Sequence, residues 1–142
     1  MIFKRFKALF AIGVPKNVGA LGEKQAAEWL RKNRGYTIVV RNWRDPHDLR
    51  REIDLVCRDG EILVFVEVKA RSAGALVPGY YAVNARKKRA VRQAIDAYLS
   101  QLRKPPISFR FDIVEIAHEV ANPCVKVLHF ENIPLFTKHY RR

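Results

Sequence analysis

The sequence predicts one α/β domain with the element order α-β-β-β-α-β-β. Three observations carry that expectation: two segments with apolar residues at helical spacing, a pair of β-rich runs joined by Asp59-Gly60, and two alternating runs toward the C terminus. A length of 142 residues suits one core rather than two. Apolar residues at 49% beside charged residues at 29% suit a packed domain rather than a disordered chain. The domain is expected over residues 19–131, between a basic N-terminal extension at 1–18 and a basic C-terminal tail at 132–142.

From Gly19 to Arg34, the residues Leu21, Ala26, Ala27, Trp29 and Leu30 recur at helical spacing, and Gly35 supplies the stop signal. Tyr36 to Trp43 (YTIVVRNW) is β-branched and aromatic and reads as a strand; Arg44 to Arg51, marked by Pro46, reads as a polar loop. Glu52–Arg58 and Glu61–Lys69 flank Asp59-Gly60, which predicts a two-residue type I′ hairpin because both central residues of that turn need positive φ. Ala70 to Val83 reads as a loop, after which Asn84 caps a second helix. Val91, Ala94, Ile95, Tyr98, Leu99 and Leu102 give that helix one apolar stripe. Its first turns carry Arg86, Lys87, Lys88, Arg89 and Arg92, cations that oppose the helix macrodipole and mark either a solvated face or a use elsewhere. Pro105-Pro106 break the chain, and Ile107–Ile116 and Cys124–Phe130 alternate as two further strands.

Charge is the unusual feature. Twenty-seven Lys and Arg against fourteen Asp and Glu give +13, which makes a polyanion, nucleic acid first, the expected partner. Cys57 and Cys124 lie far apart without metal-ligand spacing, so neither a zinc site nor a disulfide framework is expected, and a reducing cytoplasm fits. Lys4, Arg5 and Lys7 followed by Ala8–Ile12 imitate a weak signal peptide, but Pro15, Lys16 and Asn17 interrupt it, and the apolar stretch is far short of the roughly 20 residues that span a bilayer. The extension reads as a frayed basic segment or a membrane-surface helix.

With Asp59-Gly60 as the two-residue turn, Val56 faces Leu63, Asp54 faces Phe65 and Glu52 faces Glu67. Alternation then brings Glu52, Asp54, Glu67 and Lys69 onto one sheet face, with Asp54 and Glu67 as diagonal neighbours about 7–8 Å apart at Cα. One hard divalent cation, Mg²⁺ or Mn²⁺, bridges such a gap and relieves the repulsion among three carboxylates. The chemistry this suits is phosphodiester hydrolysis, in which the metal polarises phosphate and acidifies water while Lys69 orients that water or neutralises developing charge. The alternative is a surface salt-bridge patch in which Lys69 pairs with Glu67 or Glu52. Leu63 and Phe65 on the same face favour acids at the rim of a helix-covered core.

The blocks Gly22-Glu23, Gly35-Tyr36, Arg41-Asn42-Trp43-Arg44, Glu52-Ile53-Asp54-Leu55-Val56, Val64 to Arg71 (VFVEVKAR) and Arg110-Phe111-Asp112 resemble the YraN-like family of uncharacterised bacterial proteins, over roughly residues 19–116. The resemblance implies a restriction-endonuclease-like fold related to archaeal Holliday-junction resolvases, with an αβββαβ core, a mixed central sheet flanked by helices and, here, an extra C-terminal strand. It implies Asp54 and Glu67 as metal carboxylates, the Val68 carbonyl as a further ligand, Lys69 as the catalytic lysine and Glu23 as an accessory catalytic acid on the first helix, with Glu52 beside them. It implies DNA, branched or structured, as substrate, and a homodimer as the working form of related resolvases. Two positions depart from the pattern. Arg51 stands where glycine usually precedes Glu-Ile-Asp, and Ala70 stands where threonine is common.

Arg41, Arg44, Arg71, Lys87 and Lys88 are expected either to contact phosphates, giving sequence-independent affinity that falls steeply with salt, or to form a solvated surface, with carboxylate pairing a further use for Arg41 or Arg110. Tyr80, Tyr81 and Trp43 are available to stack on bases, although core packing suits Trp43 better. The leading expectation is a Mg²⁺-dependent endonuclease. Its rival is a non-catalytic nucleic-acid-binding protein that keeps the fold, and a third class is a membrane-surface or protein-interaction factor using the basic N terminus.

Overall fold

Gly35 adopts φ +69, a left-handed conformation that glycine takes without a Cβ penalty, and the chain turns there back over the helix it ends. The Tyr36 amide donates to the Leu30 carbonyl at 3.3 Å across that turn. In the computed structural model, which describes residues 18–72, 84–119 and 122–135, this helix is α1 (Val18–Arg34). It is followed by β1 (Thr37–Arg44), β2 (Glu52–Asp59), β3 (Ile62–Ser72), α2 (Ala85–Ser100), β4 (Ser108–Glu119) and β5 (Asn122–Phe130). The α-β-β-β-α-β-β order and the restriction-endonuclease-like αβββαβ core, extended by β5, are present.

The five strands form one sheet in the order β1-β2-β3-β4-β5. All neighbours are antiparallel except β3 and β4, which run parallel from Ile62↔Ser108 to Ser72↔His118 and are joined by the α2 crossover. A parallel pair needs both faces covered, and both are. α1 lays Ala26, Ala27 and Leu30 over Leu55, Val64 and Val66 on one face. α2 lays Ala94, Ile95 and Tyr98 over Val56, Phe65 and Ile113 on the other. Tyr98 meets Trp43 and Phe65 edge-on at 5.3 and 5.5 Å between ring centres, so Trp43 serves the core.

Three local findings revise the sequence reading. The hairpin closes on Asp59↔Ile62, so Gly60 and Glu61 are the central pair. Gly60 has φ +58 while Glu61 does not share the left-handed conformation, the pattern of a type II′ rather than a type I′ turn. This moves the expected register by two residues on β3, pairing Val56 with Phe65 instead of Leu63 and Leu55 with Val66, and a shift of two leaves the two faces as assigned over that stretch. Secondly, β3 and β4 run on to Ser72 and Glu119, past the expected ends at Lys69 and Ile116, because the long parallel ladder holds them. Thirdly, the chain after β5 is not all tail: the Ile133 amide donates to the Phe111 carbonyl at 2.7 Å, and Ile133 and Leu135 are buried against the α2 side of the core.

The alternation also slips near one end of β1 and β2. Val40↔Val56 and Trp43↔Ile53 lie three positions apart on each strand, yet all four pack on the α2 side. Between them Asn42 has φ +51, a kink that asparagine tolerates better than most residues. Ile53, expected on the opposite face, is therefore turned toward α2.

Cys57 is fully buried on the α1 side, and burial, reinforced by the nearby Asp112 charge, pushes its thiol up to about 12. In a Cys124→Ser background, Cys57 is expected to resist an aromatic disulfide reagent in the folded protein and to react fully in denaturant. Fast reaction before unfolding would contradict this packing. Among the described residues no helix is long and apolar enough to cross a membrane. The extension at residues 1–17, Tyr80, Tyr81 and the chain from 136 onward lie outside the described residues.

Candidate active site

Where the β2–β3 ladder reaches Leu55↔Val66, the next contact between the strands is made by a side chain: the Val68 amide donates to Asp54 Oδ2 at 2.9 Å. Asp54 is thereby held beside Glu67, the residue before Val68. Both acids are buried, at 4% and 8% exposure. Burial pushes the Glu67 carboxyl above its usual range, and the Asp54 charge pushes it further, against the opposing pull of Lys87 and Lys69.

α2 brings Lys87 into this pocket. Asn84 caps the helix, its Oδ1 accepting the Lys87 amide at 2.9 Å, and the Lys87 ammonium donates to Glu67 Oε1 at 3.1 Å. The two side chains are 9% and 10% exposed, so this is an enclosed pair and not a solvated one. Burial lowers the affinity of both Lys69 and Lys87 for a proton, and for Lys69 the neighbouring Lys87 charge adds to the effect.

Two further ion pairs frame the pocket. Arg71 on β3 is buried and lies with Nε 3.7 Å from Glu115 Oε1 on β4. Arg44 at the end of β1 reaches Glu52 Oε2 at 3.3 Å, with about half of its side chain exposed. Glu52, Asp54, Glu67 and Lys69, which the alternation joined, thus meet Lys87, Arg71 and Glu115, which it did not.

Among the described residues no group of three or more His, Cys, Asp or Glu side chains has the arrangement of a metal cage. Mg²⁺ keeps several waters and is held through one or two carboxylates together with substrate phosphate, and Asp54 and Glu67 are two buried carboxylates of the kind it takes.

The sequence pattern of uncharacterised protein family UPF0102 matches residues 22–116. The chain belongs to this family. Its UPF0102 relatives include proteins of Symbiobacterium thermophilum, 42% identical over 101 residues (71% of this chain and 82% of that one), and of Alkaliphilus oremlandii, 35% identical over 119 residues (82% and 97%). A UPF0102 protein of Porphyromonas gingivalis is 34% identical over 125 residues, covering 87% and 89%. The YraN-like resemblance of the sequence blocks is to this same family.

In this UPF0102 chain the matched stretch runs from the start of α1 to the end of the buried part of β4, and contains every charged group of the pocket. Glu23 is half-buried on α1 next to Gly22, where an added Cβ would meet Ala70 of β3 at 3.5 Å. It is therefore brought to the site end of β3 from the α1 layer, across the sheet from Lys87. The five cations expected to grip phosphate divide. Arg41 is exposed on β1 and Lys88 is half-buried on α2, whereas Arg44, Arg71 and Lys87 are each engaged by an acid. Arg51, in the place of the usual glycine, needs no positive φ: among the described residues the non-glycine positions with positive φ are Asn42 and Asn132. Its guanidinium instead ties the preceding loop together through the buried Asp45 at 3.2 Å.

Lys87 lies deeper than its place among the helix-start cations suggested, and a signal for that existed. Lys87, Val91, Ala94 and Tyr98 follow one another at spacings of four, three and four, so Lys87 continues the apolar stripe inward.

Proposed function

We propose that this UPF0102 protein is a cytoplasmic, metal-dependent nuclease that hydrolyses phosphodiester bonds in DNA, with branched or structured DNA as the preferred substrate. The observation that carries the reading is the enclosed juxtaposition of Asp54 and Glu67, tied by the Val68 amide and set among Lys69 and Lys87. Burial first, and repulsion between the two carboxylates second, push Glu67 upward.

Asp54, Glu67 and the Val68 carbonyl would hold Mg²⁺ or Mn²⁺. Bound there, the ion supplies Lewis-acid polarisation of phosphate and an acidified water. The chain's own part is positional and electrostatic. Asp54 is locked by its amide bond, Lys69 projects from β3 toward the attacked phosphate, and Arg41 and Lys88 draw the backbone to the pocket mouth. Glu23 completes the acid set from the α1 side. A homodimer would present two such pockets to the two symmetric strands of a junction.

The test is incubation of the purified protein with labelled junction, flap, duplex and single-stranded DNA in Mg²⁺ or Mn²⁺. Cleavage that requires the metal and disappears in Asp54→Ala supports the reading, and intact DNA in every lane sinks it. One observation favours a second reading, a binding protein that keeps the nuclease fold without cutting: Arg44, Arg71 and Lys87 already neutralise Glu52, Glu115 and Glu67. In that case the parent and Asp54→Ala would bind DNA equally and neither would cleave.

A further inference from the structure

We propose that Lys87 is the resident counter-cation of the Asp54–Glu67 pocket, and that a divalent ion loads the pocket only by displacing the Lys87 ammonium from Glu67. The proposal rests on the metal-site reading above and adds a gate to it.

Lys87 is built into the site. It is the third residue of α2, its amide is fastened to the Asn84 side chain, and the helix behind it is anchored by Ala94, Ile95 and Tyr98. Its neighbours Arg86 and Arg89 are exposed, whereas the stripe that carries Val91, Ala94 and Tyr98 turns Lys87 inward. A lysine fixed by a helix at a core-facing position does not sample solvent as a surface lysine does.

Its ammonium occupies the ground a metal needs. The 3.1 Å contact to Glu67 Oε1 is a charge-assisted hydrogen bond in an enclosed setting, and the same positive charge acts on Asp54 and Glu52. An oxygen engaged this way donates weakly to a second cation, and an ammonium and a divalent ion held within a few ångströms repel strongly at low dielectric. Before loading, Lys87 therefore keeps two buried acids compatible with the fold; on loading, it gives way at Glu67.

The experiment is Mn²⁺ titration of the full chain, with free Mn²⁺ followed by electron paramagnetic resonance and folding followed by circular dichroism. Lys87→Met, which keeps the stem and removes the charge, is expected to bind Mn²⁺ at least about tenfold more tightly than the parent. Lys87→Arg is expected to stay within about threefold of it. Equal or weaker binding by folded Lys87→Met overturns the counter-cation role and leaves the metal site standing. No Mn²⁺ binding by either the parent or Lys87→Met overturns both. On the unsubstituted chain, lysine acylation read by peptide mass analysis is expected to find Lys87 protected without Mn²⁺ and reactive with it. Protection that saturating Mn²⁺ leaves unchanged overturns the displacement without recourse to any variant.

Discussion

Asp112→Ala is expected to lower the unfolding free energy by about 3–5 kcal/mol, a large fraction of a domain's whole stability. Asp112 on β4 is fully buried. Its Oδ1 accepts Arg110 Nε at 3.0 Å and the Asn132 amide at 2.9 Å, while His129 Nε2 on β5 donates to Oδ2 at 2.8 Å. Arg110 also reaches Asp59 at 3.1 Å and the Tyr36 hydroxyl, so one carboxylate organises groups from α1's end, the hairpin, β4, β5 and the segment after it. Removing it leaves a partly buried guanidinium with only Asp59 and the Tyr36 hydroxyl, the Asn132 amide without its acceptor, and an unpartnered Nε2 on an imidazole packed edge-on against Trp29 and Tyr36. Asp59→Ala removes a partner that is 42% exposed and is expected to cost about 1 kcal/mol or less. Burial alone would raise the Asp112 carboxyl, but His129, the Asn132 amide and Arg110 together hold it below its usual 3.8. A depressed carboxyl contributes stability above its unfolded value and loses it as pH falls through the folded one. The parent should therefore lose stability below about pH 4, and Asp112→Ala should lack that part of the acid limb. Urea midpoints across pH measure both effects, and a variant within 1 kcal/mol of the parent would contradict the network's role.

What the sequence disclosed and what it hid follow from the range of the interactions. The helix-stop at Gly35, the stripe on α2 and the alternation of β2 and β3 are local patterns, and each led to a real element. Face assignment survived the wrong turn type because moving the central pair from Asp59-Gly60 to Gly60-Glu61 shifts each β2 residue's partner on β3 by two, which preserves parity. The slip at Asn42 was hidden, since a positive φ at a non-glycine residue has no strong sequence mark. Arg44, Arg71 and Lys87 were read as outward cations because their acids, Glu52, Glu115 and Glu67, come from other strands or another element. The parallel register that sets Lys69 beside Glu115 depends on the crossover through α2, which no short-range rule specifies. Of the Asp112 network the sequence showed the Arg110-Phe111-Asp112 block and a carboxylate partner for Arg110. Its partner His129 lies outside the span shared with the family pattern, which ends at residue 116.

Asp54→Asn is expected to reduce metal-dependent DNA cleavage by about 10²–10³-fold or more while leaving the fold and DNA affinity close to the parent. The substitution separates the two tasks of this side chain. One oxygen of Asp54 accepts the Val68 amide at 2.9 Å, a bond that the carboxamide oxygen of asparagine can also accept. The negative charge, which strengthens a donor's hold on a hard cation, is lost. Asp54→Ala removes both, leaving the Val68 amide without its carboxylate partner at a buried position, so it is expected to lose about 1–3 kcal/mol of stability as well as activity. Thermal melting of the two variants should therefore diverge while their cleavage fails alike. On the function proposed above, DNA affinity rests on Arg41, Lys88 and the general excess of positive charge, and removal of one buried acid should weaken it little. Cleavage by Asp54→Asn at the parent's rate would show that the chemistry resides elsewhere, whatever the stability of Asp54→Ala. Loss of cleavage together with loss of Mn²⁺ binding, in a variant that melts with the parent, would assign the acid its role as a metal donor rather than a strand fastener.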